Sequence, residues 1–124
     1  MAGKFAKYVT GKETTKPTRY YSSKQEKSVA EAVSGKQTAN SGATMFQKGD
    51  VVNDLFLIEC KTKTKSCDSI TVHKEWIEKN RDESIFMNKE YSAVAINFGP
   101  DEENYYIIDE QLFNLLTEYL RNKE

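Results

Sequence analysis

GDVVNDLFLIECK, residues 49–61, is an apolar segment with charge at both of its edges. Val51, Val52, Leu55, Phe56, Leu57, Ile58 and Cys60 are core-forming types, yet Asp50 precedes them and Glu59 and Lys61 close the run. The spacing predicts a hairpin: a strand over Met45–Val52, a tight turn at Asn53–Asp54, and a second strand from Leu55 to Lys61 or beyond. The unbroken run Leu55–Ile58 predicts that this second strand is buried on both faces and lies centrally in its sheet.

Working outward, Ser23 with Glu26 three residues later has the form of a capping box, and Val29, Ala30 and Val33 recur at helical spacing before Gly35. A helix is expected over Lys24–Ser34. Residues 1–21, rich in Lys, Thr and Gly, read as a flexible basic arm tethered at Tyr20 and Tyr21. GKQTANSGAT is a loop by composition, with a weak strand before Met45. Beyond the hairpin, Thr71 is placed to cap a helix from about His73 to Met87 anchored by Trp76, Ile77 and Ile85. Strands are expected over Ser92–Phe98 and Tyr105–Ile108, and Asp109 to cap a last helix with a broad apolar face. This order predicts an α/β chain of the α+β kind: one domain over 22–124 with a central mixed sheet and helices on its faces.

At 124 residues and 38% hydrophobic, the chain suffices for one buried core. No apolar run approaches the roughly 20 residues that cross a bilayer, and the first residues lack the apolar core of a secretory signal. Cys60 and Cys67 are too few for a disulfide framework and have no companions at zinc spacing. A cytoplasmic, reducing setting is the expectation. Residues 1–65 carry 12 Lys and Arg against 6 Asp and Glu, whereas residues 66–124 carry 6 against 13. Either charge scatters unevenly, or the first half faces a polyanion.

Residues two apart on a strand share a face, so Glu59 and Lys61 point together and Cys60 points away, as a small apolar core residue. Strand twist or a splayed hairpin would bring Asp50 beside Glu59. Two hard carboxylates suit Mg²⁺, or Mn²⁺ in its place, which completes its shell with water and phosphate oxygens. A neighbouring ammonium orients or helps deprotonate the attacking water and offsets charge on a phosphorane. Other readings accompany each residue. Asp50 is alternatively a turn residue with Asp54 the ligand, and Lys61 alternatively begins a solvated row with Lys63 and Lys65. Glu26 either completes a cap or, on the face of Val29, Ala30 and Val33, points toward the site, with Glu31 outward. His73 reads as a surface or cap residue and Trp76 as core.

The set Asp50, Glu59-Cys60-Lys61 and Glu26 on the preceding helix resembles the PD-(D/E)xK nuclease superfamily, most closely its small archaeal and phage Holliday junction resolvases. The likeness covers about residues 22–120 and includes a Ser41-Gly42 loop; Gly49 stands where proline is common. It implies a restriction-endonuclease-like core and an Mg²⁺-dependent endodeoxyribonuclease with Glu26, Asp50 and Glu59 about the metal and Lys61 beside them. It also implies four-way DNA junctions as substrate, a homodimer to match their two-fold symmetry, and an origin that includes phage genes in bacterial hosts. Ser41, Lys36, Lys48, Lys63 and Lys65 would then hold backbone phosphates, by shape rather than by sequence. The same site would serve a nuclease with another DNA or RNA substrate, and the same fold a non-catalytic nucleic-acid-binding module.

Overall fold

Eight elements follow one another in the computed structural model, which describes residues 18–38 and 50–123. They are α1 (Thr18–Ala32), β1 (Lys36–Gln37), β2 (Asp50–Val52), β3 (Phe56–Lys61), α2 (Lys74–Phe86), β4 (Tyr91–Ile96), β5 (Tyr105–Ile107) and α3 (Glu110–Lys123). The architecture is α+β, with one five-stranded sheet in the order β1-β2-β3-β4-β5. β3 and β4 run parallel and every other neighbouring pair antiparallel, so the sheet is mixed, as the element order predicts. The expected arm and the loop carrying Ser41 and Lys48 lie outside the described residues, apart from residues 18–21 and 35–38.

α1 begins at Thr18, earlier than the capping pattern suggests. Tyr21, Gln25 and Val29 are buried at spacings of four, so burial of the tyrosine extends the inward stripe back by a turn. Residues 18–21 therefore belong to the helix and not to an arm. Ser23 lies in the helix interior, so the capping box is not formed. The other end closes as a Schellman turn: Gly35 N–H donates to the Ala30 carbonyl at 2.9 Å, and Ser34 takes the left-handed position with φ 54°. Gly35 has a different duty, since a Cβ there would stand 2.4 Å from the Val52 carbonyl oxygen.

The hairpin forms one residue later than expected. Asn53 N–H donates to the Phe56 carbonyl, leaving Asp54 and Leu55 at the tip, and Asn53 Oδ1 accepts the N–H groups of Leu55 (2.9 Å) and Phe56 (2.8 Å). An asparagine side chain that mimics a backbone turn in this way fixes the reversal without glycine. β3 is the middle strand, and its adjacent residues Leu57 (0% exposed) and Ile58 (2%) are both covered, as a strand buried on two faces requires. The weak strand before Met45 is β1, two exposed residues at the sheet edge.

Side-chain alternation sorts the two faces. Val51, Ile58, Ala93 and Ala95 pack with Val29 and Ala30 of α1, joined by Phe56 and Cys60. Leu57, Glu59 and Lys61 point the other way, toward α2. Asn80 fixes α2 there, its Nδ2 donating to the carbonyls of Leu57 (3.2 Å) and Ala93 (3.0 Å) on two adjacent strands. His73, not Thr71, is the N-cap residue, and Asn88 (φ 60°) ends the helix with Lys89 N–H bonded to the Ser84 carbonyl at 2.8 Å. The buried face of α2 is polar, made of Asn80, Glu83 and Ser84. Ile85, expected as an anchor, is turned out and 66% exposed because its neighbour Ser84 faces the sheet.

Asp109 caps α3 as expected, with Oδ1 accepting the Leu112 N–H at 2.8 Å. The apolar face of α3 is not buried: no residue of this helix is, and no other described element packs along it. Among the described residues no helix is long and apolar enough to cross a membrane.

Candidate functional site

Asp50 and Glu59 are direct partners in the β2–β3 register, so no twist or splay is needed to bring them together. Residues opposite each other in an antiparallel pair project to the same face. Lys61, two residues on, shares that face and places Nζ 3.0 Å from Glu59 Oε2. The Lys61 ammonium also lies 5.0 Å from the centre of the Trp76 ring, and His73 stacks edge-on against that ring at 4.9 Å. Trp76 is thus half-buried beside the Lys61 ammonium rather than sealed in the core. His73 is an exposed cap residue, as read from the sequence.

Acidic groups converge on this point from three elements. Asp50 is 3% exposed, Glu26 4% and Glu83 5%. Burial first, then the charges of Glu59, Glu83 and Glu26, push the Asp50 carboxyl up from 3.8 to about 8, and Lys61 only partly opposes them. Burial and then Glu59 raise Glu83 as well, against Lys79. The Cys60 thiol is pushed up by burial and by Glu26, Asp50 and Glu59. Cys60 is half-buried and packs against the core, in keeping with its expected role.

Glu26 approaches from α1, the helix on the opposite face, and accepts a 3.5 Å hydrogen bond from Gln37 Nε2 on β1. Its charge reaches Asp50 and Cys60. Next to it, Gln25 donates Nε2 to the carbonyls of Lys61 (3.0 Å) and Ala95 (3.2 Å), which ties α1 to the end of the site strand. Asp54 is exposed at the hairpin tip, on the far side of Asn53 from Asp50, and has no place in the cluster. Glu31 is exposed.

The expected phosphate contacts are only partly placed. Lys36 is exposed on β1, Lys63 is half-buried and Lys65 exposed. β3 stops at Lys61, and bends follow at residues 64–65, so strand alternation does not continue through Lys63 and Lys65. Ser41 and Lys48 lie outside the described residues.

Glu83 and Trp76 are the site neighbours that strand spacing does not disclose. A signal was present: Asn80, Glu83 and Ser84 recur at three and four, the spacing at which α2 would otherwise carry its core residues. Among the described residues, no three His, Cys, Asp or Glu side chains are grouped closely enough to hold a metal ion as they stand. The donor set nonetheless suits a hard divalent cation, which is held by one or two carboxylates together with water and phosphate oxygens. Asp50 and Glu59 are such a pair, with Asp50 raised first by burial and then by the carboxylates around it. Comparison with family models, with curated proteins and with solved structures finds no match.

Proposed function

We propose that the chain is a metal-dependent endonuclease with a PD-(D/E)xK-type site on a restriction-endonuclease-like core, acting on branched DNA as a junction resolvase. The observation that carries this reading is the direct pairing of Asp50 with Glu59, with Lys61 on the same face and 3.0 Å from Glu59. Mere binding of phosphates has no use for paired carboxylates, which would repel them; hydrolysis through a cation does. Asp50 and Glu59 would hold Mg²⁺ or Mn²⁺, which supplies Lewis-acid activation of the phosphate and of its attacking water.

The chain's own groups account for the rest. Lys61 stands beside the carboxylates, where its ammonium orients the nucleophilic water and offsets charge developing on the phosphoryl oxygens. Trp76 limits the directions that this long side chain can take. Glu26 and Glu83 add negative charge around Asp50, which would favour a cation held there. Lys36, Lys63 and Lys65 serve as sequence-independent phosphate contacts.

The test is a cleavage assay on a synthetic four-way junction, a duplex, a flap and a single strand, with Mg²⁺ or with EDTA. Cutting of the junction in Mg²⁺ alone is expected, and both Asp50→Asn and Glu59→Gln should abolish it while junction binding persists. Wild-type cutting by either variant in saturating Mg²⁺ overturns the site. Preference for another substrate overturns the resolvase assignment alone, and binding without cutting in any metal makes the chain a non-catalytic nucleic-acid-binding module.

A further inference from the structure

α3 places Leu112, Phe113, Leu115, Leu116, Tyr119 and Leu120 within about 160° of helix circumference, at 100° per residue. Five of these are exposed, from 43% at Leu116 to 58% at Phe113 and Tyr119, and Leu112 is half-buried. Between this helix and the body of the domain runs a groove of about 690 Å³, walled by Arg81, Ser84, Ile85, Tyr91, Leu112 and Leu115. A helix with such a face does not remain uncovered in water at little cost. We infer that α3 is a self-association surface, whose occupant is a second copy of α3 packed antiparallel across a two-fold axis near Leu116.

Two observations choose a second copy. The first is the pattern. With the axis at Leu116, Leu112 faces Leu120, Phe113 faces Tyr119 and Leu116 faces itself, so these large apolar groups meet one another. An isologous contact needs this self-complementarity. The charges at the two ends of that face obey the same symmetry: Asp109 caps its start and Lys123 lies in the last turn, both on the apolar side at 100° per residue, so opposite charges meet at both ends of the pair. A parallel arrangement would instead set like charges together.

The second observation is area. Ile85, Phe113, Leu115, Leu116, Tyr119 and Leu120 each leave on the order of 100 Å² uncovered, roughly 600 Å² per copy. Doubled, this reaches about 1,200 Å², the lower bound of a stable, specific interface. The inference rests on α3 and not on the nuclease reading. Oligomeric mass tests the first and cleavage the second, so either can fail alone.

The experiment is sedimentation velocity on the full chain from about 1 to 100 μM, with thermal melts alongside. Twice the chain mass is expected for the wild type. Leu116→Glu sets two carboxylates on the axis and should give a folded monomer. Should that variant not fold, Y119E/K123E changes only exposed side chains on that face and still decides: dimer affinity should fall about tenfold or more. A wild type that is monomeric throughout the range overturns the inference. So does dimerisation unaffected by both variants. A monomer whose α3 amides resist hydrogen exchange would mean that residues 1–17 cover the face, and a monomer that floats with anionic lipid vesicles would mean that a membrane does. Either result also overturns it.

Discussion

Asp50 illustrates what a buried carboxyl costs the fold. Its carboxyl titrates near 8 when folded against 3.8 in the open chain, so between these values the folded state binds the extra proton. Stability from this group is therefore fully present below about pH 4 and is lost as the pH rises through 8. Asp50→Asn should melt higher than the wild type at pH 8, by roughly 5 °C or more, with the gap closing near pH 4. Added Mg²⁺ should raise the melt of the wild type and not of the variant. A wild type that melts higher at pH 8 in EDTA would remove the buried, cation-seeking carboxylate from the account. Trp76 bears on the other charge. A ring that close to an ammonium contributes about 0.5–2 kcal/mol, so Trp76→Ala should slow turnover about tenfold while Trp76→Phe keeps most of it. Single-turnover rates decide, and equal rates for both variants would return Trp76 to packing. Asp50, Glu59 and Lys61 were legible in the sequence because strand alternation and a short turn are local. Glu83 and Trp76 were not, because which face of α2 meets the site depends on a crossover that sequence spacing does not record.

The elements show where local rules prevail and where packing overrides them. The order of helices and strands and the Asp109 cap follow from the sequence, since each depends on a few adjacent residues. The start of α1 does not: Ser23 and Glu26 make a plausible cap, but burial of Tyr21 carries the helix past it. That shift also removes the capping explanation for Glu26, which is buried in the middle of the helix with no helix end to serve. Gly35 supplies a test of how α1 meets the sheet. An exposed Gly→Ala change commonly stabilises by about 0.4–1 kcal/mol. Here the added methyl meets the Val52 carbonyl oxygen at 2.4 Å, and backbone must move. Gly35→Ala should instead cost about 1–3 kcal/mol, read as a lower melting temperature. A melt at or above that of the wild type would show that α1 does not sit so close to β2.

Across the molecule, the basic first half shows Lys36 exposed on the edge strand β1 and Lys63 and Lys65 in the segment after β3. Replacing Lys63 and Lys65 by alanine should weaken junction binding and flatten the slope of log affinity against log salt by up to about two, because each lysine that neutralises a phosphate adds nearly one. An unchanged slope would take both lysines out of the DNA surface. The sequence foresaw a mixed sheet with helices against its faces, and α1 and α2 comply. It could not foresee that α3 would stay clear, because an amphipathic pattern states that a face needs covering and not what covers it. The connection between β3 and β4 carries one more consequence, for the route by which the chain folds. Phe56 pairs with Tyr91 and Lys61 with Ile96, so each parallel pairing closes a loop of some three dozen residues. Asp50 and Glu59 are joined by a turn that closes far sooner. The carboxylate pair therefore assembles with the hairpin and α1, ahead of the parallel seam. Truncating Val51 should slow refolding, whereas truncating Val94 should chiefly hasten unfolding.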